Sequence, residues 1–326
     1  MVPTRVVGGL RAPDLTAPWQ VEIYNTGTWT PALRRQDHRD EVARNGTSSF
    51  ADKRPDWDLN HICGGVLISN GWVLTAGHCL QTVPEGVADP DGYFRANRRI
   101  RIATQSIAPG SGSTCAIART ILYPGADDVG LIRFDPEACE PAAAPGAVSP
   151  IRIAGTRVGD PLQFNSATKF SIYGWGMTLV RPADATDFLT SATRTQDTAA
   201  FLDPASQNLK VASINYVASA ACRKVKGYAR SVGHGIFCAG VAAGGVDSCQ
   251  GDSGGALVLS VPQANGTRGS LLVGLVKGGN GCGLKNMPGL YIKIYAPTFL
   301  DWIARSIAPR HDLRAGRAML ANDTES

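Results

Sequence analysis

Ser253 stands in the run Asp247-Ser248-Cys249-Gln250-Gly251-Asp252-Ser253-Gly254-Gly255. A serine hydroxyl is a poor nucleophile unless a base takes its proton, and that base must be oriented and its developing positive charge stabilised. Neither neighbouring aspartate can act on Ser253 from its own place along the chain, so the base must come from elsewhere. Thr75-Ala76-Gly77-His78-Cys79 offers a histidine beside a cysteine that can pin it, at the end of the apolar run Trp72-Val73-Leu74. Asp127-Asp128-Val129-Gly130-Leu131-Ile132 offers a carboxylate at the start of an apolar strand. Taken singly, each has a bland reading: a lone histidine is commonly a satisfied core or surface residue, and an aspartate before a strand is commonly a turn residue. Together they are the parts of nucleophilic acyl transfer.

Short β elements must position these groups. Runs of Val, Ile, Leu and Tyr bounded by Gly, Pro, Asn and Asp predict strands at 65–75, 100–107, 120–123, 129–134, 169–174, 209–216, 256–260, 271–276 and 290–294. The Ala- and Pro-rich stretch 136–150 reads as a connector between two halves. Phe299, Leu300, Trp302, Ile303 and Ile307 recur at helical spacing and predict a closing helix over 297–308. Residues 309–326 are polar and Ala-rich and are expected to form a flexible tail. No internal repeat of fixed period occurs.

Composition narrows the function classes. With 326 residues, 44% hydrophobic and 18% charged, the chain has the make-up of an ordinary globular protein and length for one large core or two joined ones. No run of about 18 apolar residues is present, so no helical membrane span is expected. The opening MVPTRVVGGL lacks the apolar core of a secretion signal, which is read as removed or replaced by Met1. The net charge is only +5, and the one cluster, Arg95, Arg98, Arg99 and Arg101, reads as a solvated strand face and not a nucleic-acid site. Eight widely spaced cysteines argue for disulfides and an oxidising compartment over zinc, since none of the five histidines lies at ligand spacing with two cysteines. No metal and no cofactor are implied.

The chain resembles the trypsin-like serine proteases. The likeness is carried in family order by Val6-Val7-Gly8-Gly9, Cys63-Gly64-Gly65, Thr75 to Cys79, Asp128-Val129-Gly130-Leu131, Gly174-Trp175-Gly176, Phe237-Cys238-Ala239-Gly240, the Ser253 segment and Pro288-Gly289-Leu290-Tyr291. It implies an all-β fold: two six-stranded antiparallel β-barrels, over 6–140 and 141–296, with a C-terminal helix. It implies Ser253 as nucleophile, His78 as general base and then acid, and Asp128 as the carboxylate that holds the imidazole tautomer. The aspartate-aliphatic-small-Leu pattern selects Asp128 over Asp127. The backbone N–H groups of Gly251 and Ser253 would form the oxyanion hole. Asp247, with Ser248, Gly279 and Gly289, would form a pocket for an Arg or Lys side chain, for which the bland reading of Asp247 is a turn or hydrogen-bonded carboxylate. Residues 1–5 would be an activation segment cut at Arg5-Val6, after which the new amino group of Val6 pairs with Asp252. Family pairing implies Cys63–Cys79, Cys222–Cys238 and Cys249–Cys282; Cys115–Cys139 follows by elimination. Leu259 stands where many relatives carry a further bridge cysteine.

The expected function is a secreted or periplasmic endopeptidase acting on proteins and peptides with Arg or Lys at the cleaved position, with protein protease inhibitors as a second partner class. The alternative is a protease-like binding module with weak or no turnover. Several departures from the family bear on that choice. About thirty extra residues lie within 22–62, bordering the leaving-group side of the cleft, and 178–207 is enlarged and rich in Ala, Thr and Asp. The segment 123–128 is short. Lys277 and Gly278 replace the serine and tryptophan that relatives carry, and without the tryptophan the wall is expected to be open. A Lys277 ammonium directed at Asp128 would compete for the charge that stabilises the His78 imidazolium and weaken the base, but the flexible stem is expected instead to carry its charge to solvent through that gap. Sequons at Asn45, Asn265 and Asn322 are as many as chance supplies and argue nothing.

Overall fold

The computed structural model describes residues 6–36, 55–81, 83, 86–125, 127–142, 146–177, 206–233, 235–263, 265–308 and 313–321. Arg5, Asn45, Asn322 and the stretch 178–205 lie outside them. Fourteen strands carry the fold among the described residues: β1 Leu10–Arg11, β2 Gln20–Asn25, β3 His61–Ser69, β4 Trp72–Ala76, β5 Arg98–Ile102, β6 Ser113–Leu122, β7 Val129–Phe134, β8 Arg152–Ile153, β9 Lys169–Gly174, β10 Lys210–Val217, β11 Ile236–Gly240, β12 Ala256–Pro262, β13 Arg268–Gly278 and β14 Gly289–Ile292.

Six of them close the first barrel in the order β2-β3-β4-β7-β6-β5. The second ring runs β9-β10-β11-β14-β13-β12 and closes because β9 pairs with both β10 and β12. The expected two-barrel, all-β architecture is therefore present. Closure removes sheet edges, which is how antiparallel strands without covering helices satisfy their backbone groups. Alternation is clearest in β9, where Phe170, Ile172 and Gly174 face inward between more accessible neighbours. In β3 seven consecutive residues are buried, because its outer face is covered as well.

Three expected elements differ. The strand expected over 65–75 is a hairpin, β3 and β4, broken by the two-residue turn Asn70-Gly71. Gly71 has φ +76, and a Cβ there would sit 2.8 Å from the Phe134 carbonyl oxygen, so an Asn-Gly turn is what the site admits. The strand expected over 100–107 ends at Ile102, where Ala103 turns to φ +58. In place of a loose tail over 309–326, Leu313–Ala321 is a helix lying on the closing helix Pro297–Ile307, with Leu320 buried. Gly316 permits the approach: a Cβ would fall 2.8 Å from the Ala304 carbonyl carbon.

The halves are also stitched together. The first residues of the N-terminal half, β1, pair with β10 of the second barrel. The closing helix buries Phe299, Leu300, Ile303, Ala304 and Ile307 and meets Tyr123 of the first barrel edge-on through Phe299 and Trp302, at 4.9 and 5.3 Å between ring centres. Disulfides join Cys63 to Cys79, Cys115 to Cys139, Cys222 to Cys238 and Cys249 to Cys282.

Candidate active site

Strand register brings His78 to Asp128. In the β4–β7 pair Ala76 lies opposite Val129, so the residues leaving β4 run beside the one entering β7. His78 Nδ1 is 2.8 Å from Asp128 Oδ2, and the His78 backbone N–H donates to Asp128 Oδ1 at 2.6 Å. A carboxylate held at both oxygens fixes the imidazole with its second nitrogen turned away from it. Gly77 leaves room for this: a Cβ there would lie 3.2 Å from Asp128 Oδ1.

Ser253 comes from the loop before β12. Its carbonyl accepts the Gly64 N–H at 2.8 Å, while Gly254 and Gly255 exchange backbone bonds with Val276 of β13 at 2.8 and 2.9 Å. Gly254 has φ +76 and is pressed so closely onto β3 and β4 that a Cβ would meet the Gly64 carbonyl oxygen at 2.6 Å and Ala76 N at 2.9 Å. The loop is thereby seated against the two residues that precede Gly77-His78.

Lys277 is a correction to the sequence-based expectation. Its ammonium does not run out to solvent but lies 2.9 Å from Asp128 Oδ2, the same oxygen that faces His78 Nδ1. Burial by itself would push the pKa of Asp128 up, yet the hydrogen bonds from His78 and Lys277 and the His78 charge together outweigh it, and the carboxyl is held at about 2. Gly278 beyond it has open space where a Cβ would be, and a cavity of about 660 Å³ opens there, lined in part by His78, Tyr123, Asp127, Asp128, Lys277 and Asn280. Among the described residues, the wall expected to be open is open.

Asp247 contrasts with Asp128. It is buried, accepts the Ser248 and Gly283 backbone N–H groups at 2.8 and 3.2 Å, and has no cationic side chain paired with it among the described residues. Burial pushes its carboxyl up to about 7, against the smaller opposing pull of those two N–H groups. Gly289 leaves the space beside it, since a Cβ would come 2.9 Å from Asp247 Oδ1, and a Cβ on Gly279 would lie 3.0 Å from Tyr228 Oη. Ser248 Oγ faces Tyr291 Oη at 3.3 Å. Asp252 is buried too, accepts the Gly176 and Cys249 N–H groups at 2.7 and 2.8 Å, and is pushed up by burial to about 6. Its carboxylate lies against Gly176, where a Cβ would come within 2.6 Å, which explains glycine there.

A profile of the trypsin family matches residues 6–303. The chain belongs to the trypsin family of serine proteases. It is 30% identical to human trypsin-3 over 255 residues, 76% of this chain and 66% of that protein, just under two thirds of its length. It is 29% identical to human serine protease 1 over 76% of this chain and 81% of the relative, and 25% identical to trypsin 5G1 of Aedes aegypti over 92% and 84%.

In this trypsin-family chain the sequence reading passed over a buried charge group beneath the Ser253 loop. His61 Nδ1 is 3.1 Å from Glu22 Oε1 and its Nε2 is 3.0 Å from the Gly251 carbonyl oxygen. Both ring nitrogens face acceptors, an arrangement that favours the doubly protonated ring. Burial pulls the imidazole down, but the Glu22 hydrogen bond and charge, the Gly251 carbonyl and the Asp252 charge together raise it. Arg101 Nη1 lies 2.9 Å from Glu22 Oε2 while donating to the Ile107 carbonyl oxygen at 2.7 Å. The available signal was Glu22 among the apolar residues of β2 and a histidine two residues before Cys63. His78, Cys63 and Cys79 offer ligand atoms within 4.8 Å of one another, but the bridge occupies both sulfurs.

Proposed function

We infer that the protein is an endopeptidase that cuts after Arg or Lys through an acyl-enzyme on Ser253. His78 takes the Ser253 hydroxyl proton as the oxygen attacks the scissile carbonyl carbon. The carbonyl electrons pass to oxygen, where the Gly251 and Ser253 backbone N–H groups receive the charge; losing one such donor costs about 2.7 to 4 kcal/mol. Gly251 at φ +91 takes a conformation that glycine alone adopts without strain. His78 then gives the proton to the leaving nitrogen, and water repeats the cycle on the ester. The observation that carries the specificity is Asp247: a buried carboxylate held by two N–H groups, unmatched by any cation among the described residues, beside Gly289. An Arg or Lys side chain supplies the missing charge.

Activation at Arg5-Val6 belongs to the same reading. Val6 is buried in the second barrel's core, and the Val7 carbonyl accepts the Asp247 N–H at 3.1 Å. Val6 also holds φ +43, a region costly for a β-branched residue by about 1–3 kcal/mol. Cutting before Val6 removes the carbonyl against which that strain is defined, so cleavage relaxes the docked segment. Four disulfides support export to an oxidising compartment.

The second reading, a binding module with little turnover, is favoured by Lys277 on Asp128. Hydrolysis of an Arg anilide against a Leu anilide by the Arg5-cleaved protein, with fluorophosphonate labelling of Ser253, separates the two. Turnover of the Arg substrate and labelling are expected; absence of both leaves the binding module. An Arg5→Gln chain should stay latent, and full activity with residues 1–5 attached would remove the activation proposal.

A further inference from the structure

Asp128 Oδ2 has two claimants, His78 Nδ1 at 2.8 Å and Lys277 Nζ at 2.9 Å. The Lys277 position is built in. It lies at the irregularity in the β13–β14 pairing between Val276 and Gly278, and Val276 is locked to Gly255 beside the Ser253 loop. Gly278 leaves the cavity open above it, so the Lys277 side chain keeps 31% of its exposure while Asp128 keeps 12%. An ammonium that retains part of its water pairs at lower desolvation cost than a fully buried one. The other charged or titratable groups lining that cavity are His78, from the segment after β4, and Asp127 and Tyr123, from the segment before β7.

Resting on the peptidase reading above, we propose that Lys277 is a positioning residue that tunes the charge of the triad: by sharing Oδ2 of Asp128 it withholds part of the carboxylate from His78. The physical chain is short. When His78 takes the Ser253 proton, an imidazolium and an ammonium both draw on one carboxylate, so the imidazolium gains less stabilisation than it would from Asp128 alone. Attack on the carbonyl becomes slower. The same loss of proton affinity keeps the imidazole free to lower pH and makes it a readier donor to the leaving nitrogen. Lys277 itself touches no reacting atom. The enzyme built this way has a lowered plateau and a working range extended toward acid.

The test uses the Arg5-cleaved protein and kcat/KM for an Arg anilide between about pH 5 and about pH 10. Lys277→Ser should move the acid limb up by about one unit and raise the plateau about three- to tenfold, the smaller end of what a nearby charge does because this pair is partly exposed. Lys277→Met, which keeps the stem and removes only the charge, should do the same, and it carries the test if the serine variant folds poorly. Lys277→Arg should hold the native limb and plateau. In parallel, the low-field proton resonance of the His78 Nδ1–H is titrated in all four proteins; this needs no turnover, so it reads the Lys277 effect even if the native protein hydrolyses nothing and the peptidase reading falls. If the uncharged variants leave that titration and the acid limb where the native protein has them, or if Lys277→Arg shifts them as far as Lys277→Ser, Lys277 does not tune the triad.

Discussion

Asp128 at the edge of the first barrel and Asp247 in the second are both carboxylates taken largely out of water, yet one sits at about 2 and the other at about 7. Desolvation raises both. The difference lies in their partners: Asp128 accepts from the His78 backbone and ring and from Lys277, whereas Asp247 has two backbone N–H groups and, among the described residues, no cation. Asp128 is a finished electrostatic unit. Asp247, on the proposed reading, is one half of a unit whose other half a ligand brings, the condition expected of a recognition site and not of a structural ion pair.

Changing that missing half should have the largest effect. Asp247→Asn should lower kcat/KM for an Arg substrate by about a thousandfold or more while leaving a neutral-substrate rate and Ser253 labelling in place, since a guanidinium would then be buried without its counter-charge. An unchanged Arg-to-neutral ratio would move the pocket floor elsewhere.

Stability should separate the two aspartates by sign. The folded Asp247 holds a proton that the unfolded chain has already lost between about pH 4 and pH 7, so its ionisation erodes ligand-free stability as pH rises through that window, by up to about 4 kcal/mol. Asp128 behaves oppositely: its contribution, about 2 kcal/mol, is present above about pH 4 and lost as pH falls toward 2. In urea melts at about pH 8, Asp247→Asn should therefore be more stable than the native protein and Asp128→Asn less stable. The same direction of change in both variants would break the comparison.

Binding of a small aromatic amidine gives a milder test. Because the cation needs the ionised carboxylate, affinity should fall about tenfold per unit as pH drops below about 7, reaching about a hundredfold near pH 5. Calorimetry showing a flat profile over that range would mean that Asp247 is ionised without the ligand. The smallest effect is expected at Gly77→Ala, where the new methyl presses on Asp128 at 3.2 Å and on Val129 N at 3.1 Å. It should cost about 1 kcal/mol and lower kcat several-fold without altering the amidine profile; an altered amidine profile would couple the two carboxylates that the comparison treats as independent.

Much of this was legible along the chain. Strands over Val129–Phe134 and Lys169–Gly174 follow from short apolar runs bounded by turn residues, and the closing helix from the spacing of Phe299, Leu300, Ile303 and Ile307. The Asn70-Gly71 turn was readable but was hidden inside a longer apolar run. The helix Leu313–Ala321 was not, because a short segment interrupted by a glycine is a marginal helix by itself, and it is held by packing of Gly316 and Leu320 on another element.

Residue types and their order by themselves determined the trypsin-family membership and the two barrels, and singled out the serine, histidine and aspartates proposed for the site, because turn chemistry, apolar period and motif spacing are local or ordered properties of the chain. Only the tertiary structure decided where long, charged side chains end. Lys277 has a four-carbon stem that reaches either water or Asp128, 149 residues away in sequence, and it lies on the carboxylate although the gap at Gly278 leaves a way to water. Glu22, His61 and Arg101 likewise meet only because β2 pairs with both β3 and β5. Electrostatic partners are set by distance in space, and in a closed barrel that distance is written by which strands lie side by side.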